Sequence, residues 1–159
     1  MKTKIENDLK EATINTFEDI CFMYAVPELK DIQKTLTLEA AAEVKYRGDF
    51  TGKLIIEARG GLFSAIAANI LSTDLPSSQQ KRDALGEIAN IICGNVVPSL
   101  GGVGRGYKIE PPRPLNKDDL LKEEGQGKPL AEVTLNFNQG RADIKFFVDG
   151  YSAAKEKKG

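Results

Sequence analysis

Two blocks of alternating residues constrain the fold of this chain more than any other feature. From Leu38 to Arg47, Ala42, Val44 and Tyr46 alternate with Glu43, Lys45 and Arg47. From Phe50 to Arg59, Phe50, Leu54, Ile56 and Ala58 alternate with Thr51, Lys53, Glu57 and Arg59. A period of two marks a strand with one apolar and one polar face. Gly48-Asp49 between the runs predicts a tight hairpin turn, which also accounts for the Arg47-Gly48-Asp49 triplet. Leu130–Phe137 and Arg141–Val148 repeat the pattern, with Ala131, Val133, Leu135 and Phe137 inward on one strand and Ala142, Ile144, Phe146 and Val148 inward on the other. Two such hairpins need an apolar cover on one side.

Helices supply it. From Ile5 to about Tyr24, Ile5, Leu9, Ala12, Thr16, Ile20 and Met23 recur at helical spacing, and Pro27 marks the end. A short apolar helix is predicted from Gly61 to Leu71, then a Pro-containing loop to Ser78, then a helix from Ser78 to Val97. Pro98 and Gly101-Gly102 end that helix, and Arg105–Glu110 read as a strand. Pro111–Pro129, rich in Pro, Gly and charge, reads as an excursion with a helical turn at Asp118–Glu123. The order αββααβββ predicts an α+β fold, an antiparallel-rich sheet of about five strands with helices on one face and water on the other. Residues 1–150 read as one domain and 151–159 as a loose Lys-rich tail, with a faint repeat of helix and hairpin in each half.

Most routes to catalysis are closed. The 159 residues include no histidine, which removes imidazole bases, Ser-His and Cys-His pairs and most zinc sites. Cys21 and Cys93 lie far apart without CxxC spacing and read as buried thiols. A net charge of −1 argues against nucleic-acid binding. The amino terminus is charged from Lys2, and the longest apolar run, Leu62–Leu71, is too short for a bilayer. The expectation is a cytoplasmic protein without a membrane partner. Gly102-Val103-Gly104-Arg105-Gly106 follows a helix and enters a strand, the reverse of a dinucleotide-binding turn. Gly127-Lys128 lacks the rest of a phosphate loop, so no cofactor of the chain's own is expected.

One helix face remains. At about 100° per residue, Asp83, Glu87, Asn90 and Gly94 fall within a stripe about 60° wide. Leu85, Ile88, Ala89, Ile92 and Val96 lie opposite and must face the sheet, so the Glu87/Asn90 stripe looks outward. Gly86 and Gly94 flank it, although glycine in a helix interior costs about 1 kcal/mol against alanine. Something must come close there. A plain solvated face is the bland reading of the same pattern.

Asp83-x-x-x-Glu87-x-x-Asn90, with Pro111 or Pro112 about twenty residues later, resembles the signature of the CheC–FliY–CheX chemotaxis phosphatases. The run Gly86-Glu87-Ile88-Ala89-Asn90, then Gly94-Asn95, and the element order add to the resemblance. CheC-like members carry two such sites and CheX-like members one. Here the first helix offers Glu18 but has Cys21 where the amide would stand, so the chain is similar to CheX. The resemblance implies hydrolysis of the aspartyl phosphate of a CheY-like response regulator, the partner carrying Mg²⁺ and a lysine. Asn90 would then position water, Glu87 would dock on that lysine, and Asp83, Gly86 and Gly94 would lie at the contact. It also implies a homodimer. A non-catalytic binding module, as in flagellar switch proteins of this fold, is the alternative.

Overall fold

Both predicted hairpins form, and they join edge to edge. The computed structural model describes residues 2–27, 35–101, 106–124 and 127–150. Strands β1 (Leu38–Arg47) and β2 (Thr51–Gly60) are antiparallel, with Val44 opposite Leu54 and Arg47 opposite Thr51. The turn is therefore Gly48-Asp49-Phe50, one residue longer than the Gly-Asp pair predicts. Four strands away in chain order, β5 (Ala131–Phe137) and β6 (Gly140–Val148) make the second hairpin. β6 lies along β2 from Gly52–Val148 to Gly60–Gly140.

Two short strands complete the sheet. β3 (Lys108–Ile109) pairs with β1 at Tyr46–Arg47, and β4 (Arg113–Leu115) pairs with it at Ala41–Glu43. The result is a six-stranded antiparallel sheet in the order β3-β1-β2-β6-β5, with β4 also on β1. β4 left no signal in the sequence because three residues containing a proline have no period. Pro114 is tolerated there because the strand borders only β1.

Helices α1 (Lys2–Cys21), α2 (Leu62–Leu71) and α3 (Ser78–Val96) cover one face, and a 3-10 turn at Val97–Leu100 follows α3. The core between the layers holds Phe17 and Phe137 with ring centres 4.7 Å apart. Tyr46 and Phe146 stack at 5.3 Å. α1 turns inward through Ile5, Leu9, Thr13, Thr16, Phe17 and Cys21. Ile20, placed in the apolar stripe by spacing, is 38% exposed. The Phe17 ring takes the inner place against Phe137, which rotates Ile20 outward. Thr13 and Thr16 stay satisfied by donating to the Leu9 and Ala12 carbonyls at 2.7 Å.

Tyr46 also fixes the sheet. Its hydroxyl donates to the Phe147 carbonyl at 2.6 Å, and burial pushes its pKa well above the usual phenol value. That bond passes over Gly52, where a Cβ would stand 2.1 Å from the Phe147 oxygen. Only glycine fits so close an approach.

The second face of the sheet is not left to water. The Pro111–Pro129 excursion contains β4 and a fourth helix, α4 (Lys117–Glu124), which Asn116 and Asp119 cap by reciprocal backbone bonds of 3.0 and 2.8 Å. Leu115 packs there with Ala41 and Ile55, joined by Leu120 and Phe147. Lys53 pairs with Glu123, tying α4 to β2. Glu57 is buried on this face and accepts from Arg59 and Lys145, both at 2.9 Å. α4 was legible only as one turn because two leucines among charges make no stripe. The Lys-rich tail, 151–159, and positions 102–105 of the glycine run lie outside the described residues. Among those described, no helix is long and apolar enough to cross a membrane.

Candidate functional site

α3 begins in a full capping box. The Gln80 N–H donates to Ser77 Oγ at 3.1 Å, and the Ser77 N–H donates to Gln80 Oε1 at 2.8 Å. The register of everything after it follows. Leu85, Ile88, Ala89, Ile92, Cys93 and Val96 are buried against the sheet and neighbouring helices. Asp83 and Glu87 are exposed, while Asn90 and Gly94 are half-buried. The polar stripe read from the sequence thus faces outward.

Asp83 accepts from Gln79 Nε2 at 2.7 Å. Glu87 and Asn90 have no hydrogen-bond partner among the described residues, although the helix brings them within one turn of each other. A carboxylate and a carboxamide on this helix present an acceptor and, one turn on, a donor–acceptor group to the outside. Neither is tied up in holding the fold. Among the described residues no group of three or more His, Cys, Asp or Glu side chains could hold a metal ion.

The two glycines differ. Gly94 is half-buried, and a Cβ there would sit at ordinary contact, 3.6 Å from Ile109 Cδ1. Gly86 is buried, and a Cβ there would stand 2.9 Å from Pro112 Cβ. What comes close at Gly86 is the chain itself. This contact also separates the two candidate prolines, since Pro112 is the one seated on α3. Beside Asp83 and Glu87, a groove of about 550 Å³ opens between α3 and β4, bordered by Glu39, Ala40, Phe63 and Pro112. Sequence reading missed it because its walls come from four separated segments.

A family model, chemotaxis phosphatase CheX, matches residues 40–136. The chain belongs to the CheX family. No curated protein matches it significantly. Its fold is similar to CheX from Vibrio vulnificus, with a TM-score of 0.65 at 15% identity, covering 94% of this chain and 99% of that one. CheX from Desulfovibrio desulfuricans gives 0.66 at 17%, covering 91% and 99%. A third similar structure is a CheX–CheY–BeF₃–Mg²⁺ complex from Borrelia burgdorferi, with 0.62 at 17%, covering 89% and 96%.

Within this CheX-family fold the first helix carries no second pair. Glu18 is half-buried, but Cys21 points into the core, fully buried, with its thiol pKa pushed up to about 12 by burial. The sequence placed Cys21 beside Glu18 as the substitute for an amide. The Phe17–Phe137 packing that turns Ile20 outward turns Cys21 inward, and it is the Cys21 carbonyl that is engaged, accepting from Asn69 Nδ2 at 2.8 Å.

Proposed function

We propose that this chain hydrolyses the aspartyl phosphate of a CheY-like response regulator, α3 entering the phosphorylation site with Glu87 and Asn90. The observation that carries the reading is the Glu87/Asn90 pair, without partners among the described residues and one helical turn apart on the outward face of α3, in a chain of the CheX family. The solved CheX–CheY–BeF₃–Mg²⁺ complex of a relative supports the choice of partner.

An acyl phosphate is already activated, and the regulator would supply its own Mg²⁺ and lysine. What remains is to place a water in line with the phosphorus–oxygen bond. The Asn90 carboxamide suits this because its oxygen accepts from the water while its NH₂ donates to the water or a phosphoryl oxygen. Glu87 pairs with the regulator's lysine and fixes the helix in register, and Asp83 meets the rim of the same contact. Gly94 lets the partner backbone approach one turn beyond Asn90. Gly86 serves the site from inside, by seating Pro112. Activity belongs where the partner is, in the cytoplasm.

Phosphate release from phosphorylated response regulators, with and without this chain, tests the proposal. Accelerated release supports it. Binding without acceleration would instead assign the non-catalytic module.

A further inference from the structure

The groove beside Glu87 has a composition that the site itself does not require. It runs for about 550 Å³ between α3 and β4, continuous with the polar stripe because Asp83 and Glu87 form one of its walls. Its apolar lining includes Ala40, Leu85, Phe63 and Pro112. At its mouth stand three carboxylates, Glu39, Asp83 and Glu87, all exposed. Glu39 and Glu87 have no partner among the described residues, and Asp83 has only the neutral Gln79.

Two arginines, Arg82 and Arg113, also line the groove and offset the three carboxylates only in part. Arg113 stands 3.5 Å from the carboxylate of the buried Glu43, which takes up its charge. Arg82 donates to the neutral Gln79 at 3.2 Å and keeps its charge, so one cation stands against the three carboxylates and the mouth stays net negative. Lys81 stands 6.0 Å from the centre of the Phe63 ring and does not line the groove. An apolar slot under an acidic mouth complements a segment that carries an apolar side chain next to a cationic one.

We infer that this groove is a specificity socket for the regulator, receiving an apolar side chain flanked by Lys or Arg from a segment next to its phosphorylation site. The inference rests on the function proposed above and deepens it. Asn90 would act on the phosphoryl group, which regulators share. The groove would read a neighbouring segment, in which regulators differ. Pro112 and Pro114 in the groove wall have no N–H to offer, so recognition there falls to side chains.

Two substitutions test the socket with the intact protein. Ala40 is half-buried in the groove and stands on β1 rather than on α3, so Ala40→Phe fills the slot without altering the helix that carries Glu87 and Asn90. Glu39→Lys reverses one mouth charge on an exposed strand position without touching the slot. Binding and turnover are measured on a regulator activated with BeF₃ and Mg²⁺ and on the same regulator phosphorylated.

Expected are a Kd and KM raised at least tenfold by Ala40→Phe, with kcat within twofold of the unaltered chain. Glu39→Lys should raise Kd severalfold at low salt and flatten its salt dependence. Unchanged Kd and KM in both variants would overturn the socket and leave the Asn90 reading standing. Loss of kcat at unchanged KM would equally overturn it. No acceleration by the unaltered chain on any regulator would remove both readings together.

Discussion

Gly86 is packed against Pro112 so closely that a methyl group on the glycine would stand 2.9 Å from the proline Cβ. The contact joins the helix carrying Glu87 and Asn90 to the strand that follows the excursion's first turn. It gives the buried glycine a reason that helix propensity alone denies it.

Alanine at an ordinary helix position is favoured over glycine by about 1 kcal/mol. Here the overlap with Pro112 outweighs that gain, and Gly86→Ala should destabilise the chain by roughly 1–2 kcal/mol. Removing the obstructing carbon with Pro112→Gly should reverse the sign, so that Gly86→Ala becomes stabilising in that background. Urea unfolding of the four proteins in the cycle measures it. The same sign in both backgrounds would mean that Pro112 is not what excludes a side chain.

Glu87→Gln should keep the helix, since both residues are good helix formers. It should weaken regulator binding and lower turnover, because a lysine would be left without its counter-charge at a desolvated contact. A regulator lacking that lysine should be indifferent to the change. A double-mutant cycle reads this as a coupling energy, on the order of 1 kcal/mol or more. Zero coupling with both single variants impaired would place the action of Glu87 elsewhere.

Cys21 and Cys93 are both fully buried, and burial pushes each thiol from 9.0 up to about 12. Below 9.0, folded and unfolded chains both hold these protons and stability does not depend on them. As pH rises past 9.0 the unfolded chain loses protons that the folded one keeps until about 12, so stability should fall across that interval. Tyr46, raised by the same burial, adds to the fall. Urea midpoints at about pH 8 and about pH 10.5 should drop less in a Cys21→Ala/Cys93→Ala variant than in the unaltered chain. An equal drop would move the cause to other groups.

How much of this was legible in the sequence follows from how far each signal reaches. β1, β2, β5 and β6 could be placed within a residue or so because each buries a full alternating face. The outward Glu87/Asn90 stripe was legible for the same reason, since Ile88, Ala89 and Ile92 fix the register from behind. β4 and the extent of α4 were not, because their order comes from the sheet beneath them. Leu115 and Leu120 become core residues only once Ile55 and Phe147 are beside them. On α1, spacing put Ile20 inside and passed over Phe17, which packs against the ring of Phe137 from the far end of the chain.

β5 is an edge strand, bridged on its outer side only by Val26 at Asn136 among the described residues. An open edge can be capped by a second copy. A homodimer is the expectation, with light scattering giving twice 17.3 kDa at micromolar concentration. A mass of 17.3 kDa would count against it.

The central claim is that the Asn90 amide positions the attacking water, and one comparison addresses it most directly. Phosphate release from a phosphorylated regulator is followed with the unaltered chain and with Asn90→Ala, after circular dichroism has established that both are folded. Asn90 is half-buried and without a partner among the described residues, so the fold should survive its truncation. The account predicts that the unaltered chain accelerates release and that Asn90→Ala loses on the order of 10²-fold or more of that acceleration while still binding the regulator. Acceleration of undiminished size in Asn90→Ala would contradict it.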